Sequence, residues 1–379
     1  MTPPPLLSRR VADLHASPIR EILAAIDRPG MVSFAGGLPA PETFAEVKLD
    51  AIPRDWLQYG PSEGETPLRE CIAAELRAIG LPCELEQVLV LSGSQQGIDL
   101  VAKLFVDAGT PVLVETPTYL AALQVFRFFG ARLVEFSPGH ALAGAAGAAR
   151  LAYVIPTFQN PTGHCYTAAQ RESFARQCDE TGVAVFEDDP YRDLAYDACD
   201  RTPVCASLRR SSWVYQGSFS KTLAPGLRLG FLAASADLLQ PLNRLKQAAD
   251  LHSSRISQWL VLQHLRDRGR AQRLADLQRA YREKRDAFAE LLQAHWSDIA
   301  RWRVPAGGLF FWLQLRFPVD TRTLLSAALE RSVAFMPGEP FFADPAAPRS
   351  ALRLNFSHAS RQDAQRGLRV LADLLRSSR

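Results

Sequence analysis

Between residues 85 and 235 the chain repeats one pattern: short apolar runs stop at turn residues and are separated by helical stretches. The runs are "QVLVLSG" (87–93), "PVLVETP" (111–117), "ARLVEF" (131–136), "LAYVIPT" (151–157), "VAVFEDDP" (183–190), "WVYQGS" (213–218) and "LGFLAA" (229–234). Unbroken apolar runs of this length fit strands buried on both faces. Between them, "QGIDLVAKLFV" and "AAQRESFARQCDETG" have helical spacing. Strand, helix, strand in succession predicts an α/β architecture, a mostly parallel seven-stranded sheet covered by helices. The last two runs are too close for a long helical crossover, so an antiparallel return is expected there.

After residue 236 the texture changes. A charged helical region runs to about residue 295, and "GGLFFWLQL" (307–315) and "ALRLNFS" (351–357) then read as strands around the helix-like "TRTLLSAALERS" (321–332). That is a second, smaller α+β domain, which suits 379 residues better than one core does. "ALAGAAGAAR" (141–150) is a bland connector.

Composition narrows the function. A net charge of +3 gives no reason to invoke nucleic acid or an acidic membrane surface. No uncharged apolar run reaches membrane-spanning length, and "MTPPPLLSRR" has prolines where a signal peptide needs an apolar core. Cys71, Cys83, Cys165, Cys178, Cys199 and Cys205 show no metal-ligand spacing. The expectation is a cytoplasmic protein with reduced, structural thiols and no metal.

Ligands of parallel α/β sheets sit at the carboxyl ends of the strands. The residues there are Ser94 and Gln95 opening a helix, Tyr119 in "TPTY", Asn160 in "FQNPTG", Asp188 and Tyr191 in "DDPY", and Ser218, Ser220 and Lys221 in "SFSK". Arg228 follows in "LAPGLRLG". Singly, each has an ordinary reading as a cap, a turn or a solvated loop residue. Together they offer an amine for a Schiff base, a carboxylate for a protonated ring nitrogen, an amide and a phenol for a ring oxygen, and an anion nest at a helix N-terminus. Pyridoxal phosphate presents the matching groups.

With these motifs the chain resembles the fold-type I, class I/II aminotransferases, and within them the branch of 2-aminoadipate aminotransferase, kynurenine aminotransferase II and the enzyme-like domains of MocR regulators. "FAGGLP" (34–39), "YGPSEGETPLRE" (59–70), "SGSQQGIDL" (92–100), "ETPTY" (115–119), "PTFQNPTG" (156–163), "EDDPYRDLAY" (187–196), "GSFSKTLAPGLRLGF" (217–231), "PAGGLFFW" (305–312) and "LRLNFS" (352–357) carry the resemblance over nearly the whole chain. It implies that Lys221 links to pyridoxal 5'-phosphate and shuttles a proton, with Asp188 at the pyridine nitrogen. Asn160 and Tyr191 would bond the ring oxygen, and Tyr119 would stack on the ring. Ser94, Gln95, Ser218, Ser220 and Arg228 would hold the phosphate. Arg353 would clamp the substrate α-carboxylate with help from Asn160, and Gly36 and Gly37 would bind substrate beside them.

The resemblance also implies a homodimer, with Tyr59 reaching the neighbour's phosphate. It divides the chain into an N-terminal lid segment (1–44), a large cofactor-binding domain (45–275) and a small domain (276–379). In the lid, "ASPIREILAAI" (16–26) has Ser17 as a cap, Pro18 at the first helical position and an apolar stripe of Ile19, Ile22, Leu23 and Ile26. Arg20 falls off that stripe and would pair with an acidic substrate side chain. The expected reaction moves an amino group from an L-amino acid to a 2-oxo acid by a ping-pong route through pyridoxamine phosphate.

Some positions depart from the family pattern. Glu339 in "MPGEPFF" is placed to alter one wall of the substrate pocket. Arg255 in "DLHSSRIS" sits where relatives tend to be apolar; it is open to a substrate, partner or solvent role, as is His252. The chain starts about where the enzyme part of the family starts, which speaks against a regulator with a winged helix in front. Two rivals to a transaminase stand: a lyase, decarboxylase or racemase on the same fold, and a sensor that binds cofactor without turnover.

Overall fold

The computed structural model describes residues 8–12, 28–46, 52–142 and 148–378. Among them, β1 (Val32–Ser33) pairs in parallel with β11 (Val333–Ala334), so the N-terminal segment is tied to the C-terminal part of the chain. The seven apolar runs become β2 (Val88–Leu91), β3 (Pro111–Glu115), β4 (Arg132–Phe136), β5 (Leu151–Val154), β6 (Ala184–Asp188), β7 (Trp213–Ser218) and β8 (Gly230–Ala234). They form one sheet in the order β2-β8-β7-β6-β5-β3-β4. β8 is antiparallel to both neighbours and the remaining pairings are parallel, as the short spacing between the last two runs requires.

Both faces of the sheet are covered. In β3, Val112 and Val114 enter one apolar core and Leu113 the other; in β6, Ala184 and Phe186 enter the first and Val185 the second. One expectation fails. β4 is the sheet's edge, and of its residues only Phe136 is buried, because one side of the strand has no neighbour to cover it.

Local signals set the helix limits. Thr167 accepts from Gln170 N, and the Gln170 side chain bonds back to the Thr167 amide, so the helix Ala168–Thr181 starts on a capping box; it ends at Gly182 with φ 70°. The charged region resolves into helices Ala236–Asp250, Arg255–Arg266 and Arg270–Trp296. The last buries Leu277, Tyr281, Phe288, Leu292 and Trp296. These pack with the antiparallel sheet of β9 (Ala300–Arg301), β10 (Phe310–Leu315), β12 (Met336–Pro337) and β13 (Ala351–Asn355) and with the amphipathic helix Arg361–Ser377. No helix among the described residues is long and apolar enough to cross a membrane.

Candidate active site

The pleat of β6 separates three consecutive buried acids, Glu187, Asp188 and Asp189. Asp188 closes β6 on the face of Ala184 and Phe186. Its Oδ2 accepts from Tyr153 Oη at 2.7 Å and its Oδ1 from Gln216 Nε2 at 2.8 Å. Gln216 is its register partner on β7. Gly97 makes room for that amide, since a Cβ there would lie 1.8 Å from Gln216 Oε1. Burial raises the Asp188 carboxyl to about 6, although Gln216 and Tyr153 pull it down. Asp189 bonds instead to Tyr215 Oη at 2.8 Å and pairs with Arg192 at 3.3 Å.

The anion nest is assembled by the antiparallel strand. Gly230 pairs with Leu91 on one side and Ser218 on the other, so three distant segments end side by side. Gly93, at φ 84°, turns the chain into the helix Ser94–Phe105, whose first N–H groups have no carbonyl in a preceding turn. A Cβ at Gly93 would lie 2.6 Å from Arg228 Nη2, and one at Gly230 would lie 3.0 Å from the Ser94 nitrogen. Both glycines therefore keep the nest open. Arg228 is solvent-exposed and sits at φ 49° after the turn Pro225–Leu227. Ser220 N donates to Ser218 Oγ at 3.2 Å.

Lys221 Nζ donates to the Gly37 carbonyl at 2.9 Å. Burial, reinforced by the Arg353 and Arg228 charges, lowers its pKa to about 8. Arg353, buried on β13, donates from Nη1 to Asn160 Oδ1 at 2.8 Å and from Nη2 to the Ala35 carbonyl. Its guanidinium carbon lies 4.2 Å from the centre of the Phe310 ring and 5.1 Å from that of Phe341. Its Nε is buried without a partner, and burial lowers its pKa to about 10. Asn160 Nδ2 donates to Tyr191 Oη at 3.4 Å. Burial raises Tyr119 to about 12, with Asp188 adding to the shift and Arg353 and Arg228 opposing it. Arg353 and Lys221 also meet through one segment, since Arg353 reaches the Ala35 carbonyl and Lys221 the Gly37 carbonyl. Gly36 lies between those two carbonyls, and a Cβ on Gly37 would come 3.1 Å from the Phe310 ring.

Tyr59, expected to serve a neighbouring subunit, is 76% exposed, and its ring stands nearly perpendicular to that of His252, 5.7 Å away. Glu339 has a role within the fold. It is buried, accepts from Thr321 Oγ1 at 2.6 Å and Arg349 N at 3.4 Å, and so ties down the start of the helix Thr321–Glu330. Arg255 is clamped to its own chain rather than held free for a substrate. Arg20, Ser17, Pro18 and the expected lid helix lie outside the described residues, as do residues 143–147 of the bland connector.

The sequence reading missed Gln216 and Tyr153, whose signal was a polar group within an otherwise apolar strand. It also missed the fully buried Lys246. Lys246 Nζ donates to Gln96 Oε1, Asp250 Oδ2 and Ser253 Oγ at 2.8, 2.9 and 2.8 Å. Gln96 Oε1 in turn accepts from Ser92 N at 2.9 Å, which braces the nest from beneath.

A carboxylate at the end of one strand, an amine with a lowered pKa, a phenol–amide pair and an open nest define a pyridoxal-phosphate enzyme of the transaminase type. The family model described as "Aminotransferase class I and II" matches residues 30–371, and the chain belongs to that family. It is similar to the 2-aminoadipate transaminase of Thermus thermophilus, 40% identical over 383 residues, which span 96% of this chain and 94% of the other. Aromatic-amino-acid aminotransferase 1 of Thermococcus litoralis is 32% identical over 97% of this chain and 94% of its own. Among solved structures, an α-aminoadipate aminotransferase from Thermus thermophilus, complexed with N-(5'-phosphopyridoxyl)-L-leucine, superimposes with a TM-score of 0.87 at 38% identity, covering 98% of this chain and 97% of that one.

The protein is an aminotransferase and its cofactor is pyridoxal 5'-phosphate. The residues fit that group: the glycine-opened nest with Arg228 suits a phosphate, Asp188 a pyridinium nitrogen, and Lys221 an aldehyde.

Proposed function

We propose that this chain is a homodimeric aminotransferase that takes the amino group of an L-amino acid of the 2-aminoadipate, aromatic or branched-chain type. It passes the group to a 2-oxo acid, 2-oxoglutarate first, by a ping-pong route. One observation carries the reading: the Arg353 fork, bonded to Asn160 and the Ala35 carbonyl, and the Lys221 amine, bonded to the Gly37 carbonyl, converge on the same short segment of chain. Every α-amino acid and 2-oxo acid offers a carboxylate beside the reacting carbon. A planar guanidinium held by Asn160 and by the faces of Phe310 and Phe341 would bind that carboxylate and set the Cα toward Lys221.

With a pKa near 8, Lys221 Nζ exists partly as the free amine near neutrality and can accept the Cα proton. Asp188 Oδ1 and Oδ2, oriented by Gln216 and Tyr153, would hold the ring nitrogen protonated. The bound cofactor supplies an electron sink for the pair released at the substrate Cα. Ser94, Gln95, Ser218, Ser220 and Arg228 would fix the phosphate, Asn160 and Tyr191 the ring oxygen, and Tyr119 the ring face.

The exposure of Tyr59 supports the dimer, since a phenol placed 76% in solvent is available to a neighbouring subunit's phosphate. Six free cysteines support a reducing, cytoplasmic setting. A screen of amino donors against 2-oxoglutarate, read as glutamate formed, tests the reaction. Mixing the Lys221→Ala and Tyr59→Ala proteins tests the dimer. If Tyr59 acts in the partner's site, hybrids regain one intact site and activity returns; no recovery in verified hybrids overturns that placement.

A further inference from the structure

We infer that Arg255 is a positioning residue, which fixes the loop that presents Tyr59 to the neighbouring subunit's cofactor phosphate; this rests on the dimer reading above. Arg255 begins the helix Arg255–Arg266, and its guanidinium reaches both ends of the Tyr59 loop. Nε pairs with Glu65 Oε1 at 2.6 Å, beyond the loop. Nη1 donates to the Gln58 carbonyl at 3.1 Å, immediately before Tyr59, and to the Asp55 carbonyl. The guanidinium carbon lies 5.2 Å from the centre of the Trp56 ring, and Trp56 rests edge-on against Trp259 of the same helix at 5.0 Å.

The side chains of Arg255 and Glu65 are each only 12% exposed. Such a shielded charge pair holds a geometry that two solvated side chains would not.

Two features show that the loop is built around this clamp. A Cβ at Gly60 would lie 2.7 Å from Glu65 Oε1 and 2.8 Å from Arg255 Cδ, so the backbone closes onto the pair only with glycine there. Glu65 N donates to Gln258 Oε1 at 2.8 Å, one turn along the same helix, which fixes the far end a second time. Tyr59 itself has little holding it: its amide bonds the neighbouring Gln58 side chain at 2.8 Å, and its ring has the His252 edge. Its direction is therefore set by the backbone that Arg255 pins. A lysine could keep the charge near Glu65 but has no planar fork to reach the Gln58 carbonyl as well.

The test is titration of cofactor-free protein with pyridoxal phosphate, with dimer mass and melting temperature measured alongside. Tyr59→Phe should weaken cofactor binding, because it removes one hydroxyl donor. Arg255→Lys should weaken it about tenfold when Tyr59 is present, and change it less than about twofold in the Tyr59→Phe background. Equal weakening in both backgrounds would show that Arg255 supports the fold or the dimer generally, and would overturn the inference. So would an Arg255→Lys protein that binds as the parent does while Tyr59→Phe binds weakly. If Tyr59→Phe alone leaves binding unchanged, the placement of Tyr59 at the phosphate fails, and the inference falls with it. Gly60→Ala gives a second approach to the same clamp and should follow Arg255→Lys.

Discussion

Gln216 on β7 stands directly opposite Asp188 on β6 and donates to its Oδ1 across 2.8 Å. The carboxylate proposed to serve the cofactor's ring nitrogen is therefore held by an amide from the next strand, under a helix that carries Gly97 to let it in.

This arrangement has a pH signature. In the cofactor-free protein Asp188 titrates near 6, raised by burial. Above that pH it is a carboxylate and can pair with a protonated ring; below it the carboxyl is neutral and the attraction is lost. Cofactor affinity should fall as pH drops through about 6, and this limb should vanish in Asp188→Asn. Removing one member of a buried charge pair costs about 3–5 kcal/mol. If about 3 kcal/mol of that enters the barrier, Asp188→Asn should turn over on the order of a hundredfold more slowly. Steady-state rates equal to the parent's would assign the nitrogen to another residue.

Lys221→Ala should still bind pyridoxal phosphate, since the ring and phosphate contacts remain. It should lose the visible absorbance of the lysine-linked cofactor and essentially all turnover. In cofactor-free parent protein, labelling of Lys221 by an amine reagent should have its midpoint near pH 8, because the free amine is the reactive form and burial favours it. A midpoint at the ordinary lysine value near 10.5 would show that the site does not desolvate this amine.

Arg353→Lys keeps the charge and loses the fork that bonds Asn160 and Ala35. A charge-assisted hydrogen bond is worth roughly 1.5–3 kcal/mol. The KM for amino acid and 2-oxo acid alike should rise about ten- to a hundredfold, with the cofactor spectrum unchanged. A loss confined to one substrate would point to side-chain recognition instead.

Arg20 is predicted from sequence alone. Arg20→Ala should lower kcat/KM for glutamate, 2-aminoadipate and 2-oxoglutarate by about ten- to a hundredfold, on the same hydrogen-bond magnitude. Leucine or phenylalanine, assayed in the single half-reaction, should be little affected. Equal losses for acidic and apolar donors would remove Arg20 from substrate recognition.

The sequence by itself determined the strands and the residues at their ends. Apolar runs long enough to be buried on both faces have few alternatives to a covered sheet, and the chemistry of a parallel sheet collects where those runs stop. Lys221, Asp188, Asn160, Tyr191 and the Ser94 nest were legible for that reason. Tertiary structure decided what no local pattern encodes. Strand register placed Gln216 beside Asp188, and sheet order left β4 half bare at the edge. The same pleat sent Asp189 to Tyr215 and Arg192, away from Asp188. Chain closure brought Arg353 to Asn160, 193 residues away in sequence, and Arg255 to Glu65, 190 away. Glu339 turned inward to Thr321 for the same reason. A side chain's apolar or charged character is local and shows in the sequence, whereas the partner that satisfies a buried charge is chosen by which distant segments meet in the folded chain.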